Sequence, residues 1–88
     1  MIIATSTRVY NTGNETIDEK WEKGLEKLNI AVKEIAEAEG YLLDDLYEVS
    51  RNISSSQRHE DGTHYSDEGY DVFARQVTRV IQEALNNI

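Results

Sequence analysis

The feature of this sequence that most restricts its fold is an amphipathic helix placed between two short apolar segments. Apolar residues recur at spacings of three and four, which predicts a helix with one apolar stripe made of Ile17, Trp21, Leu25, Leu28, Val32 and Ile35. Segment 1–6 precedes this helix and segment 41–43 follows it, and both have the composition of short buried strands. A strand, a crossover helix and a second buried strand form a parallel βαβ unit.

The rest of the chain predicts a long loop and a final helix. Gly40 is placed to end the first helix, because the residue after a helix often needs a positive φ. Leu46 to Val49 predict a brief helix, and polar residues 50–62 predict a surface loop. Ser66 is a good N-cap for the last helix, whose expected buried face is Phe73, Val77, Val80, Ile81, Ala84 and Leu85.

Two parallel strands leave a sheet incomplete. Both sheet edges would lack a partner, and at least one apolar face would stay uncovered. We therefore expect residues 1–88 to form a single partial domain of the α/β class. The expected partner is a second copy of the chain, in a homo-oligomer, or a segment that precedes Met1.

Composition excludes several classes of partner. The chain carries a formal net charge of −8 and no cluster of lysine or arginine, which argues against nucleic acid and against an anionic membrane. It has no cysteine, so disulfides and thiolate chemistry are excluded. No apolar run is long enough to span a bilayer. The first residues, MIIATST, do not have the pattern of a secretory signal, so a cytoplasmic location is the default expectation.

The loop before the last helix holds the residues best suited to chemistry. A neutral histidine such as His64 serves as a general base near neutral pH, and a carboxylate such as Asp61 can hold its ring in one tautomer. The spacing of three residues across Gly62 lets both side chains lie on the same side of one turn. By spacing alone, a solvated loop leading to an N-cap remains the simpler interpretation.

Two alternatives involve the same loop. His59, Asp61 and His64 form the pattern H-x-D-x-x-H, which suits a divalent metal ion, although the sequence marks no fourth ligand. The serines at positions 54–56 and Ser6 are the alternative nucleophiles that the chain offers. Nothing in the sequence supplies oxyanion donors beside them, so we expect them to be ordinary loop and strand-end residues.

Three other groups of residues have structural interpretations. Trp21 lies on the apolar stripe of the first helix, so we expect it to pack in the core. The run DEKWEKGLEK, residues 18–27, is expected to be a solvated helix face. One of Asp44 and Asp45 lies at the end of the second strand, near where α/β sheets place their ligands, and we expect Asp45 to have a structural role.

The stretch DGTHYSDEGYDVFARQVTRVI resembles the last sequence block of the SGNH, or GDSL-type, serine esterases and lipases. That block is written D-G-x-H and is followed by a helix that opens like S-x-E-G-Y. The matching residues here are Asp61, Gly62, His64, Ser66, Glu68, Gly69 and Tyr70. IIATST is similar to the fourth strand of the family, and LNIAVKEIAEAEGYLLDDLYEV is similar to its helix, fifth strand and D-L-Y segment.

The resemblance implies a three-layer α/β fold with a parallel sheet of the flavodoxin-like type. It also implies hydrolysis of carboxylic ester substrates through a serine nucleophile, without a metal or cofactor. His64 would be the general base and Asp61 the residue that orients it. The Gly-Asp-Ser block and both oxyanion blocks of the family are absent from these residues, so the chain resembles the C-terminal half of such an esterase. By itself it is expected to be inactive, and the competing hypothesis is a non-catalytic, self-associating or interaction module.

Overall fold

The protein has an α/β architecture with a two-stranded parallel sheet, seen in a computed structural model that describes residues 1–87. Its elements are β1 (Ile2–Ala4), α1 (Glu19–Glu39), β2 (Leu42–Asp44), α2 (Leu46–Arg51), a 3-10 turn (Ser55–Gln57) and α3 (Asp67–Asn86). The two strands pair in parallel, with Ile3 opposite Leu43. The predicted βαβ order and its parallel pairing are therefore confirmed.

Side-chain and backbone caps explain where the helices begin and end. Asp18 accepts a hydrogen bond from the Trp21 amide at the start of α1, and Gly40 ends that helix with a φ of 69°. Ser66 accepts a hydrogen bond from the Gly69 amide at the start of α3. The sequence predictions for Gly40 and Ser66 are confirmed. No helix within residues 1–87 combines the length and apolar character needed to cross a membrane.

Strand β1 has one paired edge and one open edge. Leu42 donates its amide to the Met1 carbonyl, and Thr5 donates its amide to the Asp44 carbonyl. The odd-numbered residues of this segment therefore face β2, and the backbone groups of Ile2 and Ala4 point the other way. Within residues 1–87 no third strand joins the sheet, so this edge is open.

Asn29 of α1 marks where the open edge stops. Its side-chain Oδ1 accepts from the Ser6 amide at 2.9 Å, and its Nδ2 donates to the Ser6 carbonyl at 3.1 Å. A side-chain amide thus takes the place that a neighbouring strand would occupy beside Ser6. The part of the edge that remains open is limited to Ile2–Ala4.

The apolar core lies between α2, α3 and the loop that joins them. Ile53, Tyr65 and Phe73 are its buried residues, and the partly buried side chains packed against them are Leu46, Val49 and Val72. The rings of Tyr65 and Phe73 meet edge to face, with centroids 4.8 Å apart. This core positions the start of α3 and the residue that follows His64.

The prediction that Trp21 packs in the core is wrong, because this side chain is 60% exposed. Leu28 and Ile35 follow it at intervals of seven and are also exposed, although the sequence placed them on the buried stripe. The residues of α1 that are buried are Glu22, Leu25, Asn29 and Ala36. A sheet of two strands covers one side of the broad apolar stripe and leaves the other side in solvent.

Strand β1 and helix α3 show the same difference. Ile2 is exposed, so the first strand is not buried as expected. Phe73 and Val80 of α3 are buried as predicted, whereas three residues of its expected inner face are exposed: Val77, Ile81 and Leu85. Tyr70 is exposed as well, on the same side of the helix. These elements therefore carry more apolar side chains than the rest of the described residues can bury.

Glu22 corrects the expectation that residues 18–27 form a solvated face. Its carboxylate is buried and accepts from the Arg8 Nε at 2.9 Å. The Arg8 guanidinium also donates to the Tyr47 hydroxyl at 3.1 Å. Burial opposes the charge of Arg8, but the hydrogen bond to Tyr47 and the attraction of Glu22 outweigh it and raise the pKa of Arg8 above its ordinary value.

The size of the molecule also indicates incomplete burial. Its radius of gyration is 13.9 Å, whereas a globular domain of this length has a radius of about 12 Å. Its accessible surface is 6019 Å², whereas a folded monomer of this mass exposes roughly 5300 Å². The chain exposes more surface than a self-contained domain of the same length.

A pair of glycine substitutions tests the packing of α3. An added Cβ at Gly69 would lie 2.3 Å from the Gln57 carbonyl oxygen, whereas at Gly24 in α1 it would meet nothing within 4 Å. We expect Gly69→Ala to lower the free energy of unfolding by about 1–3 kcal/mol, because the loop must move away. Gly24→Ala should raise it by about 0.5–1 kcal/mol. Urea unfolding measures both, and stabilisation by Gly69→Ala would show that the loop does not contact α3 as described.

Candidate active site

The two predicted site residues lie in a hairpin-like loop, residues 58–65, immediately before α3. Arg58 and Tyr65 form an antiparallel bridge at its base. Inside this bridge, the His59 amide donates to the His64 carbonyl at 3.0 Å, and the Gly62 amide donates to the His59 carbonyl at 3.2 Å. The backbone of the loop is therefore closed on itself and places its central side chains in solvent.

The structure brings Asp61 and His64 together. His64 Nδ1 lies 2.6 Å from Asp61 Oδ2, a distance typical of a charge-assisted hydrogen bond. An ionised carboxylate accepts and does not donate, so Nδ1 carries the proton. When the ring is neutral, the other nitrogen, Nε2, has a free lone pair, and no residue within 1–87 forms a hydrogen bond with it. This is the arrangement that a general base requires.

Backbone amides hold the second oxygen of Asp61. Its Oδ1 accepts from the amides of Thr63 and His64, each at 2.9 Å. The amide of His64, its imidazole and the amide of Thr63 keep the pKa of the Asp61 carboxyl well below its usual range. Both side chains stay exposed, with 43% of Asp61 and 65% of His64 accessible to solvent. The carboxylate is thus ionised and oriented without being buried.

Gly62 lets loop 58–65 approach the backbone of Tyr10, in the segment that follows β1, more closely than any residue with a side chain could. It has a φ of 79°, and an added Cβ would lie 2.0 Å from the Tyr10 carbonyl oxygen. The Tyr10 amide donates to the Gly62 carbonyl at 2.7 Å, and the Gly13 amide donates to the Glu60 carbonyl at 2.7 Å. Two loops that are about fifty residues apart in the sequence are therefore in direct contact.

Arg58 and Asn14 belong to the same contact, and the sequence analysis missed both. Arg58 donates through Nε and Nη2 to the Asn14 carbonyl, and Asn14 Nδ2 donates back to the Arg58 carbonyl at 3.2 Å. These residues are 44 positions apart, so no local spacing connects them. The one available signal was the pair Gly13-Asn14, which is typical of positive φ, and Asn14 has a φ of 61°.

The metal alternative finds little support in the arrangement of the loop. His59 Nδ1 is 3.8 Å from Asp61 Oδ1 and accepts a long hydrogen bond from the Asp61 amide. Asp61 already accepts three hydrogen bonds from Thr63 and His64. Across the described part of the chain, no three His, Cys, Asp or Glu side chains come together in a group that could hold a metal ion.

Three of the four alternative serine nucleophiles, Ser6, Ser54 and Ser56, have contacts of a structural kind. Ser54 shares a capping box with Gln57 at the 3-10 turn and lies near the Ser56 hydroxyl. Ser6 is held by Asn29 through its backbone. Asp45, expected to be structural, caps α2 and accepts from the Thr5 hydroxyl at 2.8 Å. Asp44 is buried and accepts from Gln76 of α3.

The grooves beside α1, α3 and the start of β1 do not include the pair. A groove of about 860 Å³ follows one side of α3 from Asp71 to Asn87, and it includes neither Asp61 nor His64. Comparisons of the chain with family models, with curated proteins and with solved structures each find no match. The membership of the esterase family that the motif suggests therefore stays a prediction.

The role of the Asp61 carboxylate can be tested through pH. Because the pKa of Asp61 is lower in the folded chain than its ordinary 3.8, the ionised group stabilises the fold above that pH and loses this effect as the pH falls through the folded-state pKa. We expect Asp61→Ala to reduce stability more at about pH 5 than at about pH 3, where the difference should shrink.

Urea unfolding at both pH values measures this difference, and Glu60→Ala is the matched control at an exposed neighbouring position. A stability loss in Asp61→Ala that stays equal at the two pH values would contradict the assignment. It would mean that the loop needs the shape of this side chain and not its charge.

Proposed function

We propose that the chain provides the acid–base half of a serine ester hydrolase of the SGNH type. The observation that carries the proposal is the 2.6 Å contact between His64 Nδ1 and Asp61 Oδ2. It leaves Nε2 exposed with an available lone pair, which is what proton transfer from a serine hydroxyl needs. The D-G-x-H motif and the helix that follows it supply the link to this family.

In this mechanism His64 Nε2 takes the proton of a serine hydroxyl as the serine attacks the ester carbonyl. The same nitrogen then gives the proton to the departing alcohol, which leaves an acyl-enzyme. Water, activated by His64, hydrolyses the acyl-enzyme. Asp61 keeps the proton of the neutral ring on Nδ1 and stabilises the imidazolium that forms in each step.

The serine and the oxyanion donors come, in this proposal, from a segment or chain outside these 88 residues. The proposed complete fold is a three-layer α/β domain whose parallel sheet is of the flavodoxin-like type. The open edge of β1 at Ile2–Ala4 and the exposed apolar side chains of α1 and α3 support it. Further parallel strands and helices would cover these surfaces.

Complementation tests the proposed function. We expect the chain alone to hydrolyse p-nitrophenyl acetate no faster than an equal concentration of free imidazole, because no serine is activated. Mixed with the N-terminal half of an SGNH-type esterase that carries the Gly-Asp-Ser block, it should produce hydrolysis that is lost in His64→Ala. Asp61→Asn should reduce the rate by about 10⁴-fold, because the tautomer and the support for the imidazolium are lost.

His59→Ala is the matched control, since this histidine lies in the same loop and should be dispensable. Binding of the two halves is measured separately by sedimentation. Halves that bind without producing hydrolysis would count against the esterase proposal.

A second candidate function is that of a non-catalytic interaction module that self-associates. The observation that favours it is the uncharged, exposed side of α3, which carries Tyr70, Val77, Ile81 and Leu85. A contiguous apolar helix face of this kind commonly marks a protein interface. In this case the contact between Asp61 and His64 would serve only to stabilise the loop before α3.

Sedimentation equilibrium of the chain without any partner tests the second candidate. A self-associating module should form dimers or larger species, and Ile81→Asp should return them to monomers because a charge would be desolvated at the interface. Arg75→Asp, on the charged side of α3, is the matched control. A chain that stays monomeric at high concentration would contradict the module hypothesis.

A further inference from the structure

We propose that Arg58 and Tyr65, the two ends of loop 58–65, are positioning residues that impose the Asp61–His64 geometry. This inference rests on the proposed function, because positioning matters where the pair is used as a base. The inference goes further than the proposed function in one respect. The conformation of loop 58–65, in which Asp61 and His64 meet, is held from outside the loop by the backbone of residues 8–14. Arg58 and Tyr65 form separate anchors to that segment.

The side chains of the pair do not anchor themselves. Within residues 1–87, Asp61 and His64 form side-chain hydrogen bonds only with atoms of residues 59–64. Both are substantially exposed, so packing does not restrict them either. The loop conformation in which the two side chains meet is therefore held by the contacts that the backbone and the ends of the loop make with residues 8–14.

Arg58 fixes the first end by binding carbonyl groups. Its Nε and Nη2 donate to the Asn14 carbonyl at 3.0 and 2.6 Å, and its Nη1 donates to the Ile53 carbonyl at 2.8 Å. Its guanidinium lies 3.9 Å from the centroid of the Tyr10 ring, a cation–π contact. Although the chain has 17 acidic residues, none within residues 1–87 forms an ion pair with Arg58. The planar guanidinium of Arg58 thus joins two backbone segments, one at Asn14 and one at Ile53.

Asn14 makes the first anchor reciprocal. Its Nδ2 donates to the Arg58 carbonyl at 3.2 Å, so each residue of this pair binds the main chain of the other. Asn14 is buried and holds a φ of 61°, which turns its carbonyl toward the guanidinium. A residue in this region of φ is uncommon and persists where its surroundings fix it.

Tyr65 fixes the second end. Its hydroxyl donates to the Arg8 carbonyl at 2.9 Å, while its buried ring packs against Phe73. Tyr65 follows His64 directly in the chain, so a shift of its ring moves the backbone that carries the imidazole. Between the two anchors, the Tyr10 amide binds the Gly62 carbonyl at 2.7 Å. The loop is therefore held at both ends and in the middle by residues 8–14.

The tautomer of His64 is the readout, because in a folded chain it reports whether the loop still brings Asp61 Oδ2 to His64 Nδ1. In the unmodified chain, Nδ1 should carry the proton of the neutral ring, whereas a free imidazole side chain favours Nε2. We expect Tyr65→Phe and Arg58→Lys each to shift the ¹⁵N resonances of His64 toward a mixture of tautomers.

Two controls separate positioning from general destabilisation. Tyr70→Phe removes a hydroxyl from a neighbouring exposed ring, and Gly40→Ala strains the positive φ at the far end of α1. Both should leave the tautomer unchanged while circular dichroism confirms folding. Tyr65→Phe keeps the ring in the core, so this variant decides the question if Arg58→Lys unfolds.

An unchanged tautomer in folded Tyr65→Phe, or in both variants, would overturn the positioning role. This outcome is independent of hydrolysis, because the resonances are measured on the chain alone. A tautomer shift together with halves that bind but produce no hydrolysis would instead keep the anchors and refute the esterase proposal.

Discussion

Arg8 is the residue on which the rest of this structure depends. Two strands of three residues each form few hydrogen bonds, so the sheet alone cannot hold three helices in place. The Arg8 side chain binds Glu22 of α1, its amide donates to the Ser50 hydroxyl of α2, and its carbonyl accepts from Tyr65 beside α3. Every helix is therefore tied to the segment after β1. Removing one member of the buried Arg8–Glu22 pair would leave the other charge unpaired, which is more costly than losing an exposed pair.

The geometry of the candidate site is a consequence of the same segment. Residues 8–14 contact α1 and α2 and also contact loop 58–65. The positions of Asp61 and His64 therefore depend on contacts that their own side chains do not make. The loop is fixed by hydrogen bonds from Arg58 and Tyr65 to main-chain carbonyl groups. No acidic side chain within residues 1–87 pairs with Arg58. Preorganisation of this kind is what a catalytic pair requires, because a loosely held base loses much of its effect.

The sequence predicted the elements of the fold better than their burial. Periodicity, Gly40 and Ser66 located the helices, and the motif at Asp61 and His64 correctly indicated that these side chains meet. Trp21 was misplaced because an apolar stripe does not reveal how much of it the chain can cover. Glu22 was misjudged and Arg58 was missed for another reason. Their partners, Arg8 and Asn14, are distant in sequence, and an ion pair or a carbonyl contact at that separation leaves no local pattern.

The open edge of β1 and the exposed pair are related through the direction of the strands. In a parallel sheet all strands finish at the same end of the sheet, and the loops that follow them lie side by side. Segment 8–14 follows the carboxyl end of β1, and it carries loop 58–65. A parallel strand added beside Ile2–Ala4 would therefore end next to this region, and the loop after that strand would approach His64 Nε2. Such a segment would exclude water from the imidazole and strengthen its electrostatic interactions. The open edge at Ile2–Ala4 thus belongs to the strand whose carboxyl end leads into the segment that contacts loop 58–65.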